Sequence, residues 1–274
     1  MSSSHLYSVI ENKIPVGNFT LFVKFYKPSK LTSDTFLILL HWMDSRGSRG
    51  NRIYHEISDH FASKGIPVFL FDQSGSGGSS GPFYYPKKQA NQVIDVYNYA
   101  LTQLNSIDKE RNWELIPIAH SIAGVTIMHA LNSGLQFKML VWLGGPPSHG
   151  NSVRNSLKKE NVGLFKFKVA GVLDKVSGVF GKPIYHKMFG FKLRLKDMQE
   201  ILKCHGAEMM IKRDDIKILG IFGTNDQYMT LNDLYEALPL DLYSHFRREI
   251  IEGATHSFED HLPEVIHFLD EFIL

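Results

Sequence analysis

The sequence has one cysteine, Cys204, in 274 residues. A lone cysteine excludes an intramolecular disulfide and any cysteine-rich zinc site, and it suits a reducing compartment. A cytoplasmic location is therefore expected. Net charge is also small: 30 Lys and Arg stand against 28 Asp and Glu, or +2. The strongly basic balance of a nucleic-acid binder is missing. No apolar run approaches the roughly 18 residues of a membrane span. The opening MSSSHLYSVI lacks a basic stretch followed by an apolar one, so no signal peptide is expected. No internal repeat stands out. The pairs His55/His60 and His256/His261 are five apart, which misses the four-residue spacing that aligns two metal ligands on a helix. The glycine-rich stretch 75–81 has Ser80 where a dinucleotide loop needs its third glycine. Neither a metal nor an organic cofactor is expected.

What is present is a core. Hydrophobic residues make up 43% and charged residues 21%. That balance fits one large globular domain, with or without an insertion. Short apolar runs occur at 36–40, 68–71, 115–119, 139–143, 216–222 and 249–251. Several are apolar at every position, as strands buried on both faces of a parallel sheet are. Helical periodicity lies between and after them, at 53–64, 87–104, 122–131 and 261–272. Strand–helix alternation of this kind predicts an α/β fold with a mainly parallel sheet. Residues 19–26 alternate more cleanly and predict an antiparallel leading edge.

Residues 147–213 break the rhythm, with patchy amphipathic pieces and no convincing strand. They read as a mostly helical inserted cap, leaving 1–146 and 214–274 as the core. Within it, 154–203 carry twelve Lys and Arg against four Asp and Glu, an excess of +8. Attraction to an anionic substrate or peripheral contact with a membrane surface would use such a face. A solvated helical surface would look the same. The apolar residues of 165–180 fit an acyl tunnel or ordinary cap packing.

The stretch most informative about chemistry is Ala119-His120-Ser121-Ile122-Ala123, with Gly124 next. A buried strand runs straight into a helix, with a serine at the junction and small residues around it. Such a turn lifts a serine hydroxyl clear of the sheet, as G-x-S-x-G does, with alanine here in place of both glycines. The backbone N–H of Ile122 would open the helix and face an oxyanion. A serine N-cap on an ordinary helix is the bland alternative. A nucleophilic serine needs a base and an orienter. Asp226 follows the strand at 216–222, and His256 follows the strand at 249–251. Ser121, Asp226 and His256 thus occur in hydrolase order, each after a strand.

On these residues the chain resembles the α/β-hydrolase superfamily, and within it the capped serine hydrolases around feruloyl/cinnamoyl esterases and monoacylglycerol lipases. Leu39-Leu-His41-Trp-Met-Asp44 resembles the family's His-Gly loop. Asp72-Gln-Ser-Gly75-Ser-Gly77-Gly-Ser79 resembles its D-x-R-G-x-G-x-S loop. Gly253-Ala-Thr-His256-Ser-Phe258 is similar to its G-x-x-H-x-F ending. Two positions depart: Trp42 stands in place of glycine, and Gln73 and Ser74 stand near the usual arginine. The resemblance implies an α/β-hydrolase fold and cleavage of a small-molecule carboxylic ester. Ser121 would be the nucleophile, His256 the base and Asp226 the orienter. The N–H of Met43, or of Trp42, would complete an oxyanion hole with Ile122. His41 would be structural, and Trp42 and His120 would touch substrate. A thioesterase, acyltransferase or small-amide hydrolase would use the same three residues. A non-catalytic hydrolase-fold binding protein is the rival of a different class. Monomer and homodimer are equally compatible with the sequence.

Overall fold

The computed structural model describes residues 6–145, 185–188, 191–194, 213–237 and 244–274. Eight strands form one sheet in the order β1-β2-β4-β3-β5-β6-β9-β10. They are β1 (Tyr7–Val16), β2 (Phe19–Pro28), β3 (Thr35–Leu40), β4 (Val68–Phe71), β5 (Glu114–His120), β6 (Met139–Leu143), β9 (Lys217–Gly223) and β10 (Phe246–Ile251). The hairpin β1–β2 joins β4 antiparallel, and every other pairing is parallel. The antiparallel leading edge expected at 19–26 is thus present. It also has an outer partner, β1, that the sequence does not announce.

The unbroken apolar runs have a direct cause. In β3, Phe36, Ile38 and Leu40 enter one core cluster, whereas Leu37 and Leu39 enter a second on the opposite face. In β4, Phe69 and Phe71 point one way and Val68 and Leu70 the other. Side chains alternate along a strand, so a strand covered on both faces is apolar throughout. Fully burying each such side chain contributes about 1.5–3 kcal/mol.

Helices α2 (Pro86–Ile107) and α3 (Ala123–Asn132) cover the first face, through Val93, Val96 and Leu104 and through Val125 and Met128. Pro86 sits in the first turn of α2, where a missing N–H costs nothing. Helix α1 (Ile53–Ser63) and the last helix (Leu262–Ile273) cover the other face, through Ile57 and Phe61 and through Val265 and Leu269. A short helix, α4 (Leu231–Ala237), lies between β9 and β10, and the last helix is α5. No helix among the described residues is long and apolar enough to cross a membrane.

One expectation is corrected. Where no strand was read between 147 and 213, β7 (Tyr185–Met188) and β8 (Phe191–Arg194) pair as an antiparallel hairpin. Four residues per strand is too short for periodicity to register. The remainder of the expected cap, with Cys204 and the apolar residues of 165–180, lies outside the described residues.

The parallel strands all end on one edge of the sheet. His41, Asp72, Ser121, Gly144, Asp226 and His256 all follow strand C-termini there. Open α/β sheets bind ligands at this edge.

Candidate active site

Ser121 occupies the turn between β5 and α3 with φ +58°, one of two non-glycine residues at positive φ among the described residues. Its N–H donates to Leu143 O at 2.7 Å, and its carbonyl accepts from Trp142 Nε1 at 2.7 Å. These bonds hold a conformation that a residue with a side chain rarely adopts. The capping alternative is not realised: α3 has no side-chain cap, and its N-cap is Ile122. No hydrogen bond joins the Ser121 hydroxyl to a described residue.

Trp142 is the support that the sequence does not reveal. Its indole lies between two glycines. A Cβ on Gly124 would come 2.1 Å from Trp142 Cε2, and one on Gly145 would come 2.2 Å from its Nε1. Gly124, rather than Ala123, is therefore the residue whose smallness the elbow requires. Gly124→Ala is expected to destabilise the protein by about 2–3 kcal/mol, the upper range for overpacking a core. Guanidinium unfolding measures it; a loss under about 0.5 kcal/mol would mean that the indole can move aside.

Asp226 and His256 are 5% and 3% exposed. His256 Nδ1 donates to Asp226 Oδ2 at 2.6 Å. Asp226 Oδ1 accepts from the N–H groups of Tyr228 (2.8 Å) and Met229 (3.0 Å). With Nδ1 protonated, Nε2 carries the lone pair. Three rings enclose the imidazole: Trp42 and His120, each with its centroid at 5.1 Å, and Tyr228 edge-on at 4.9 Å. A Cβ on Gly144 would lie 3.2 Å from the imidazole, so this glycine (φ +53°) makes room for it.

Two candidate donors for an oxyanion are distinguished by what they already bond. Trp42 N–H donates to Tyr54 Oη at 2.9 Å. The N–H groups of Met43 and Ile122 donate to no described residue. Of the two loop residues named by the resemblance, only Met43 has an N–H without a partner among the described residues. Trp42 Nε1 is buried without a partner among the described residues.

His41 is fully buried. Its Nδ1 donates to Trp42 O at 2.5 Å, and its Nε2 accepts from Gln73 N–H at 3.1 Å. The Gln73 amide returns the tie by donating to His41 O at 2.8 Å. Gln73, which departs from the family pattern, thus joins the loops after β3 and β4. Asp72 organises the same loops through the N–H groups of Ser48 (2.6 Å) and Gly78 (2.8 Å).

His120, expected to touch substrate, is a buried side chain. It is 0% exposed, beneath the parallel Trp42 ring at 5.4 Å. Both its nitrogens are bonded, Nδ1 to Tyr54 Oη and Nε2 to His256 O, each at 2.7 Å. Trp42 itself is half-buried at the site. The histidines of the discounted pairs are also accounted for in part: His55 meets Tyr26 at 2.7 Å, and His60 meets Asp270 at 2.8 Å. Among the described residues, no group of three or more His, Cys, Asp or Glu is placed to hold a metal ion.

Burial pushes the His41 and His120 imidazoles below the ordinary histidine range, His120 furthest, with His256 adding to the effect there. The unfolded chain binds protons at these residues below about pH 6.5, and the folded protein does not. Stability is therefore complete above that pH and is lost as pH falls. The slope is about 1.4 kcal/mol per pH unit for each imidazole kept neutral. Thermal unfolding from pH 7.5 to 5.0 is expected to show a falling Tm. A flat Tm would show that both rings take up protons while folded.

No family model matches this chain, and no curated protein does. Solved structures do match it along nearly its whole length. Est1E of Butyrivibrio proteoclasticus superposes with a TM-score of 0.67 at 16% identity, covering 96% of this chain and 97% of that one. An esterase of Pyrococcus furiosus gives 0.62 at 14%, covering 99% and 93%. An α/β serine hydrolase homologue of Coxiella burnetii gives 0.59 at 11%, covering 97% of each. The chain has the α/β-hydrolase fold. Its strand order has an antiparallel hairpin at one edge and parallel strands beyond, and it carries Ser121 after β5, Asp226 after β9 and His256 after β10.

Proposed function

We propose that this α/β-hydrolase-fold protein is a serine hydrolase of carboxylic esters. The observation that carries the reading is the buried Asp226–His256 pair. Its 2.6 Å bond leaves the imidazole Nε2 free as a base, at the sheet edge where Ser121 stands in its strained turn. In this reading Ser121 Oγ attacks the acyl carbon as His256 Nε2 takes its proton. The Met43 and Ile122 N–H groups stabilise the tetrahedral oxyanion, and each such donor is worth about 2.7–4 kcal/mol. The imidazolium returns the proton to the leaving alcohol. Water then attacks the acyl-enzyme by the same route, and the acid leaves.

The substrate is a small acyl ester. Est1E has been solved with ferulic acid bound, which makes aryl esters the first class to try. Residues 147–213 are assigned as the cap that selects among esters. The chain enters this segment just after Gly144, which packs on His256, and so leaves the core at the site edge.

Two measurements test the proposal together. Hydrolysis of p-nitrophenyl esters from acetate to palmitate, alongside methyl ferulate, is expected to show turnover that depends on Ser121. A fluorophosphonate probe is expected to label Ser121. Labelling without ester turnover would move the assignment to thioesters or amides. A folded protein that neither labels nor turns over would be a binding protein.

A further inference from the structure

The residue before the serine, its backbone contact to the base and the loop that would hold an oxyanion are joined by one buried chain of hydrogen bonds. The donors in it are fixed by chemistry. A carbonyl oxygen only accepts, so at 2.7 Å from His256 O it is His120 Nε2 that carries the hydrogen. In a neutral imidazole the other nitrogen then accepts, so Tyr54 Oη–H donates to His120 Nδ1 at 2.7 Å. The Tyr54 oxygen is left to accept from Trp42 N–H at 2.9 Å. The run is therefore Trp42 N–H to Tyr54 O–H to His120, and His120 Nε2–H to the His256 carbonyl. Tyr54 is 2% exposed and His120 is not exposed at all, so no water competes for these groups.

We infer that Tyr54 and His120 are positioning residues that set the oxyanion loop and the base loop in register with each other. By taking the Trp42 N–H, the Tyr54 hydroxyl fixes that peptide and leaves the next N–H, that of Met43, free to face the site. By holding the His256 carbonyl, His120 fixes the backbone from which the base projects. Trp42 closes the arrangement, since its ring lies parallel on His120 (10° between planes) while its own N–H feeds the other end of the chain. The sequence distances are 12 residues from Trp42 to Tyr54, 66 from Tyr54 to His120 and 136 from His120 to His256. The link therefore ties two loops through the first turn of α1 and the end of β5.

This inference rests on the serine-hydrolase reading, and the experiment separates the two. Wild-type labelling by a fluorophosphonate and wild-type ester turnover come first; if both are absent, it is the reading that fails. Tyr54→Phe and His120→Gln are then compared with wild type. Each variant is scored by kcat per labelled serine, by KM and by affinity for an alkyl boronic acid, which forms a tetrahedral adduct and draws on the oxyanion donors. Counting labelled serines removes unfolded protein from every rate.

Tyr54→Phe is expected to lower kcat and boronate affinity together, by about 10–100-fold, with KM within twofold; sub-ångström misplacement of reacting groups costs rate on this scale. His120→Gln keeps an N–H at the ε position for the His256 carbonyl but offers Tyr54 a poorer acceptor. It is expected to retain more kcat than His120→Leu, which keeps neither bond. Unchanged kcat per labelled serine in Tyr54→Phe would overturn the inference, because the residue would then serve folding alone. Should Tyr54→Phe fail to fold, equal kcat per labelled serine in His120→Gln and His120→Leu would overturn it in the same way.

Discussion

Ser121→Ala is expected to lower ester turnover by about 10⁶-fold, the scale seen when a triad nucleophile is removed, with little change in Tm. The two halves of this result have separate causes. The loss follows because, in the proposed mechanism, the Ser121 hydroxyl is the attacking group at the strand-to-helix turn. The intact fold follows because the Ser121 hydroxyl bonds no described residue. Its deletion therefore leaves no partner unsatisfied. Alanine inherits the φ of +58° and with it the same backbone strain. Glycine would not: Ser121→Gly should be as inactive as the alanine variant but more stable than it by up to about 1 kcal/mol, the strain that a Cβ carries in this region less the greater entropy of glycine when unfolded. Rates with p-nitrophenyl butyrate and paired thermal unfolding curves measure both. Ester turnover above a few per cent in Ser121→Ala would sink the nucleophile assignment.

How much of this was legible in the sequence depended on how local the cause was. β3, β4, β5 and β6 could be read because burial on both faces leaves an unbroken apolar run, which no other short element matches so well. β1 could not, because it lies at the free edge and buries only Ile14. Its YSVIENKIPV shows no face for a core to select. Helix α4 spans seven residues, fewer than periodicity needs. The three proposed catalytic residues were legible because each follows a strand C-terminus within a short loop, so order along the chain stands in for geometry. Their supports were not. Tyr54 lies in the first turn of α1, where an apolar residue would fit the pattern equally well, and its role arises from Trp42 and His120, which it meets only after folding. Trp142 reads as one more core residue of β6, although its indole N–H holds the Ser121 carbonyl. His120 looked like a substrate contact for the same reason, since position beside the nucleophile says nothing about which way the ring turns. The ring turns inward, with both nitrogens bonded.

The second large effect is expected at Asp226, and its mechanism differs from that at Ser121. Asp226→Asn should lower kcat by about 10⁴-fold while the protein remains folded. Both oxygens of the carboxylate accept: Oδ1 from two backbone N–H groups, Oδ2 from His256 Nδ1. An asparagine has one oxygen and one NH₂. The N–H groups of Tyr228 and Met229 can only donate, and Met229 is buried, so the amide oxygen must turn towards them. The NH₂ then faces His256 Nδ1, which can accept only in the other tautomer. That tautomer places the hydrogen on Nε2, where the base needs a lone pair, so the imidazole cannot take the Ser121 proton. Every buried group still has a partner, and so the fold persists. Asp226→Ala, by contrast, strands three donors at once and is expected to lose stability as well as rate. The proton on His256 Nδ1 is expected far downfield in the proton NMR spectrum of the wild type and should vanish in Asp226→Asn. A variant that keeps this resonance, or retains more than a tenth of wild-type kcat, would show that Asp226 does not set the tautomer of the base.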